Sequence, residues 1–409
     1  MGERDDPLPA QPRRPLVRRP ARAQPVRDLD HDDHAGADPR EVPAAVGRGA
    51  PRGLAARELG RGHAAQGDVH RRLGAVPPGQ ADDRRCAHRA GVAARDHVRL
   101  PQPRGAPAPD PRSDVQRLSG DDRFATAAAI GRAAFPTGRT VVVVSGQQAS
   151  LVDGLVAAPY ARSIKAPVLL STRSSVPEAS MAEITRRGAT SAVLVGGTGV
   201  LTTDVSAQLR AAGLSVTRLS GADRYATAAA VARAFGSASS VVVASGVTAN
   251  LVDAAAAGGP AAASGQPVLL VPRSSVPPAT RATITALGAR SATIVGGTGV
   301  VTSSVADALR ADGLRLTRLS GTDRYATAAA VADAYEPSVK AGTVVLASGL
   351  DANLVDSLTG GVLGRLTLLT AGAGVPAATD RWFAVREVSL LQVLGGTGAV
   401  PDSAVEAVR

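Results

Sequence analysis

RLSGDDRFATA at residues 117–127 decides how this chain is read, because it returns as RLSGADRYATA at 218–228 and as RLSGTDRYATA at 318–328. The copies lie 101 and 100 residues apart, a period that marks a tandem array. Outward from this motif, every copy keeps one order of signals. A short strand (215–219 in the second copy) ends in Ser220-Gly221, and the Ala-rich segment 225–235 then has strong helix propensity. An apolar strand follows at 141–144, 241–244 or 343–347. It ends in Ser-Gly and leads to a second helix that carries Asp153, Asp253 or Asp356. Another buried strand reads PVLL at 167–170 and 267–270 and LTLL at 366–369. A Val-Pro step at 176–177, 276–277 and 375–376 opens a third helix, since proline suits a first helical turn. The last strand runs into GGTG at 196–199, 296–299 and 395–398, and a fourth helix (202–212 in the first copy) leads to the next unit.

Short continuous apolar runs that alternate with helices indicate parallel strands covered on both faces. Right-handed crossovers then make each unit a Rossmann-like layered α/β domain. The expected organisation is three tandem parallel-sheet units, at 115–214, 215–314 and 315–409, each able to bury a modest core of its own. The third is divergent. Its interval from Asp356 to Leu369 is 13 residues, against 17 from Asp153 to Leu170 and from Asp253 to Leu270, so its second helix is expected to be shortened.

Residues 1–114 use another alphabet. Apart from Met1, Cys86 and Ser113 they draw only on Ala, Asp, Glu, Gly, Val, Leu, Pro, His, Gln and Arg, the residues whose codons begin with G or C. A GC-rich gene read out of frame produces that set, so the segment reads as a frameshifted stretch joined to a genuine one near 111–115. The other reading is a natural Arg/Pro/Ala-rich disordered tail. Either way it shows no helical or strand periodicity. The first thirty residues have no apolar core of the kind a secretory signal needs.

All six histidines and the one cysteine fall in that segment. From residue 115 onward, therefore, Ser–His, Cys–His and zinc–His catalysis are excluded, and no metal or cofactor is expected. Paired-carboxylate glycosidase chemistry needs a two-acid cleft that threefold repetition does not suggest. The formal charge of +11 is spread, with 21 arginines against 16 acids in 1–114 and 25 basic against 19 acidic residues afterwards. Scattered charge and 2% aromatic content argue against a nucleic-acid partner. No run of eighteen apolar residues exists to span a membrane.

Several repeated residues are candidate site positions. GGTG (Gly196, Gly197, Gly199; Gly296, Gly297, Gly299; Gly395, Gly396, Gly398) offers N–H groups to a phosphate, but the full G-x-G-x-x-G pattern fails at Thr202, which favours a tight β–α turn. Asp122-Arg123, Asp223-Arg224 and Asp323-Arg324 each begin a helix. The aspartates suit capping, and the arginines either dock helix to sheet or reach an anionic sugar or phosphate. Asp153, Asp253 and Asp356, one carboxylate per unit, read as caps or buried hydrogen-bond acceptors and not as catalysts. Arg173-Ser174 and Arg273-Ser274 lie in the loop after the Leu-Leu strand, at the carboxyl edge where open α/β folds bind ligands. Copy three has Gly372-Ala373-Gly374 there and should bind more weakly at this edge.

With RLSGxDRYATAA (RFATAA in the first copy), NLVD (SLVD in the first), PVLL (LTLL in the third) and VGGTG (LGGTG in the third) in one order three times, residues 115–409 resemble the cell-wall-binding repeat 2 family. Its members are secreted and surface proteins of Gram-positive bacteria, clostridial and actinobacterial ones included. The resemblance implies three repeats around a pseudo-threefold axis that hold the protein non-covalently to an anionic wall polymer, a secondary polysaccharide or teichoic-type chain. It also implies a cell-wall or extracellular location, and an effector domain such as an amidase or protease elsewhere in the protein. Arg123, Arg224, Arg324 and the Leu-Leu pairs at 169–170 and 269–270 match the family pattern. Two other functions stay open: a wall hydrolase whose catalytic part precedes the repeats, and a structural component of a surface layer.

Overall fold

The structure is a computed structural model that describes residues 113–409. The segment expected at 1–114 to be disordered or out of frame lies, but for Ser113 and Asp114, outside the described residues.

The first copy supplies β1 (Asp114–Leu118), α1 (Arg123–Ala134), β2 (Thr140–Ser145), α2 (Val152–Ser163), β3 (Val168–Ser171), α3 (Glu178–Arg186), β4 (Ser191–Val195) and α4 (Thr203–Ala211). The second continues with β5 (Ser215–Leu219), α5 (Arg224–Arg233), β6 (Ser240–Ser245), α6 (Leu251–Ala263), β7 (Val268–Val271), α7 (Pro278–Leu287), β8 (Ser291–Val295) and α8 (Ser303–Ala311). The third adds β9 (Arg315–Leu319), α9 (Arg324–Tyr335), β10 (Thr343–Ser348), α10 (Leu354–Gly360), β11 (Leu366–Thr370), α11 (Ala377–Phe383), β12 (Leu390–Leu394) and α12 (Asp402–Glu406). As the spacing anticipates, α10 has 7 residues where α2 and α6 have 12 and 13.

Three four-stranded parallel sheets form, in the orders β3-β2-β4-β5, β7-β6-β8-β9 and β11-β10-β12-β1. Each sheet takes three strands from one copy and its last edge strand from the next, and β1 of the first copy completes the sheet of the third. One rule applied three times closes the array into a ring with pseudo-threefold symmetry. Strand character fits position. The central β2, β6 and β10 are buried along almost their whole length, whereas β5 and β9 show the mixed exposure of an edge.

The self-contained core expected for each copy is not what forms. One apolar cluster runs through all three copies, from Leu118 and Ile130 through Val242 and Leu270 to Leu394 and Val405, with smaller clusters under the outer helices of the first two. Helices α2, α6 and α10 pack on one another at the centre of the ring. That position accounts for their sequence: α6 (LVDAAAAGGPAAA) is buried on every side, so it has no polar face. Arg162, near the end of α2, donates to the carbonyls of Val362 and Leu363 beyond the shortened α10. Among the described residues no helix is long and apolar enough to cross a membrane.

Candidate functional site

In a parallel sheet every strand ends on the same edge, so loops far apart in sequence meet there. At each junction between copies three such loops enclose a cleft. The first cleft is lined by Ser150 and Asp153 at the start of α2, by Gly197-Thr198-Gly199 after β4, and by Gly221 to Arg224 after β5 of the next copy. The second repeats this with Asn250, Asp253, Gly297, Gly299, Asp323 and Arg324. The third joins the end of the array to its beginning, with Asn353, Asp356, Gly396 and Gly398 facing Asp121, Asp122 and Arg123. Their volumes are about 360, 450 and 260 Å³.

The loop from the next copy is fixed at both ends. Asp122, Asp223 and Asp323 cap their helices, each accepting at 2.7 Å from the amide three residues on. Thr126, Thr227 and Thr327 accept from the amides of Gly120, Gly221 and Gly321. The arginines at the helix starts are tied down as well. Arg123 donates to the Gly146 carbonyl at 2.8 Å, Arg224 to that of Gly246 at 2.6 Å and Arg324 to that of Gly349 at 2.7 Å. Arg324 also pairs with Asp351. Each half-buried guanidinium thus docks its helix to the end of the following strand and lines the cleft with what remains exposed.

A second arginine set, not singled out from sequence, crosses the junction. Arg218 and Arg318, the first residues of the RLSG motif, each donate at 2.7 Å to the first carbonyl of the preceding copy's GGTG turn, at Gly196 and Gly296. Arg117 reaches the carbonyls of Gly395 and Val400 and the carboxylate of Asp402. Their recurrence was the available signal. Only the ring shows what they hold.

The aspartates at the start of the central helices form the inner wall. Asp153 is 4% exposed and Asp356 8%, and Oδ1 of Asp356 has no hydrogen-bond partner. Burial pushes the Asp153 carboxyl up to about 7 and that of Asp356 to about 6, against the opposing pull of Arg224 and Arg123 from the adjoining copy. Asp253 is raised in the same way by burial, with Arg324 opposing and Asp323 adding to the rise. These side chains explain the first glycine of GGTG. Gly196 has φ +119° and a Cβ there would stand 2.8 Å from Asp153 Oδ2; at Gly296 and Gly395 the values are 3.3 Å from Asp253 and 2.6 Å from Asp356. The later glycines differ. Gly197 and Gly199, like Gly297, Gly299, Gly396 and Gly398, have ordinary backbone angles and nothing within 4 Å of a Cβ. Gly196→Ala is therefore expected to lower stability by about 1–3 kcal/mol, and Gly199→Ala to change it by less than about 0.5 kcal/mol. Urea unfolding of the two variants checks this, and equal losses would contradict it.

Arg173, Ser174, Arg273 and Ser274 are exposed and stand outside the clefts. Arg173 leans on the rim, with Nε donating to the Gly199 carbonyl at 3.1 Å, and its own carbonyl accepts from Thr202. The Arg273 carbonyl accepts from Thr302, and those of Ser174 and Ser274 accept from Gln208 and Ser304. In copy three the loop closes on itself, with Ala371 bridged to Gly374. Inside the clefts acids outnumber arginines: Asp153 and Asp223 against Arg224, Asp253 and Asp323 against Arg324, and Asp121, Asp122 and Asp356 against Arg123.

Comparison with known proteins places this architecture. The family model for cell wall binding domain 2 matches three times, at residues 117–206, 218–306 and 318–406. N-acetylmuramoyl-L-alanine amidase LytC of Bacillus subtilis is 30% identical over 292 residues, 70% of this chain and 56% of the amidase. Two solved Clostridium difficile proteins share the fold at 26% identity. Cwp6 has TM-score 0.67 over 72% of this chain and 48% of its own, and Cwp8 has 0.65 over 73% and 51%. The chain thus spans about half the length of these relatives.

Proposed function

The chain belongs to the cell wall binding domain 2 family, and we propose that its ring of repeats attaches the protein to an anionic polymer of a Gram-positive wall. Cell-wall binding is the function of the repeats, which are not catalytic, and the likeness to the amidase runs through them. The finer reading rests chiefly on one observation: three equivalent clefts recur at the junctions of one continuous ring. Three modest sites on a rigid frame that meet a repeating polymer gain avidity on the order of 10²–10⁴ without new contacts. Arg173 and Arg273 stand exposed on loops outside the clefts, where they supply cationic groups for an anionic partner. In this reading the protein is exported and acts at the cell surface. The catalytic or other effector portion, as in the longer amidase relative, belongs to a part of the protein other than the described repeats.

Sedimentation with purified Gram-positive cell walls tests this. The protein is expected to pellet with walls at 50 mM salt and to be released progressively as salt rises, because exposed charge pairs are screened. A protein that stays in the supernatant even at low salt would remove the anchoring reading.

A further inference from the structure

Resting on the anchoring reading, we propose that each junction cleft is a subsite for an uncharged, hydroxyl-bearing sugar unit of the polymer, gripped by the buried aspartate and the glycine turn. The polymer's anionic groups are then met outside the clefts, by Arg173 and Arg273.

The glycines carry the argument. Only the first of each GGTG turn has a structural reason to lack a side chain. The second and third have unstrained angles and open space, yet both line the cleft in all three copies. Exposed neighbours have drifted: Thr203-Asp204 in the first copy is Ser303-Ser304 in the second and Asp402-Ser403 in the third. Two glycines kept three times where the fold does not need them leave the turn's peptide planes bare for a ligand to approach closely.

The inner wall supplies the polar grip. Asp153 and Asp356 are more than nine-tenths buried and line their clefts. A carboxyl in the wall of a cleft is a natural acceptor, or when protonated donor, for sugar hydroxyls. Aspartates outnumber arginines in every cleft, which disfavours phosphate or carboxylate there. Volumes of about 260–450 Å³ lie at the lower end of small-ligand pockets and suit one sugar unit better than a length of chain.

The test compares two sets of variants in titrations against purified walls over a range of salt. Filling the clefts with Gly199→Leu, Gly299→Leu and Gly398→Leu together is expected to weaken binding at least tenfold and leave the salt dependence unchanged. Arg173→Gln with Arg273→Gln should flatten the salt dependence. The isosteric set Asp153→Asn, Asp253→Asn and Asp356→Asn gives a second path to the same loss, and it decides the matter alone if the leucine variant does not fold. Wild-type affinity in the filled or isosteric variant would overturn the proposal. So would a loss accompanied by a flattened salt dependence, since the clefts would then hold the charged groups. Failure of the wild-type protein to bind walls at all would instead sink the anchoring reading.

Discussion

A chain that begins at residue 120 is expected to lose its cooperative thermal transition, or to melt more than about 10 °C lower, compared with one that begins at Ser113. The seven residues between these starts include β1, the strand that closes the ring. They pair Asp114–Leu118 with Leu390–Leu394 and bury Leu118. They also place Arg117 on two carbonyls and a carboxylate, and Ser113 Oγ on the carbonyl of Val388. Burial of one leucine contributes about 1.5–3 kcal/mol and each hydrogen bond roughly 0.5–1.5 kcal/mol. Their loss together is on the order of 5–10 kcal/mol, the same scale as the whole stability of a typical domain. At about 2–4 °C per kcal/mol for a large domain, the midpoint shift follows. The consequence reaches the third cleft, which needs Asp122 and Arg123 held in place by the loop after β1. Two chains that melt within 2 °C of one another would show that ring closure contributes little.

Stability contributed by the buried aspartates is expected to fall as pH rises from about 4 to 7. The Asp153 carboxyl stands near 7 and that of Asp356 near 6, both from an ordinary 3.8. The folded chain therefore binds these protons more tightly than the unfolded chain does. Below pH 4 both states are protonated and the contribution is complete; it is lost as pH climbs through the raised values. Roughly three pH units at 1.4 kcal/mol each gives a loss on the order of 4 kcal/mol for Asp153, and somewhat less for Asp356. Asp153→Asn with Asp356→Asn keeps the shape and removes the titration. The variant should match the wild type near pH 4 and exceed it by several kcal/mol at pH 8. Urea unfolding of both proteins at the two pH values isolates the effect from other ionisable groups, such as Glu183, whose burial is outweighed by Arg186 and Arg132 so that its carboxyl is lowered instead. An equal stability difference at the two pH values would refute it.

Much of the fold was legible. The PVLL and VVVV runs are strands because only a parallel sheet covered on both faces buries every residue of such a run. The four-residue deficit after Asp356 is a missing helical turn in α10. The candidate site was legible only as fragments. Asp153, GGTG at 196–199 and Asp223-Arg224 each read as local turn or cap chemistry, and nothing in their spacing says that they face one another. Arg224, which the sequence offers to an anion, is tied through Nη1 to the Gly246 carbonyl and to Thr248.

The sequence by itself determined the period, the identity of the elements and the residues that recur. A repeat carries no phase, however, because a ring of identical units can be cut anywhere with the same periodicity. Tertiary structure alone decided that β5 completes the first sheet and β1 the third. Edge strands join whichever sheet offers unsatisfied backbone groups in register, and here that sheet belongs to the preceding copy. The same exchange carries each Asp-Arg loop across the junction and packs α2, α6 and α10 together. Helix packing buries the aspartates and strand exchange brings arginine to face them, so the clefts belong to the ring and to no single repeat.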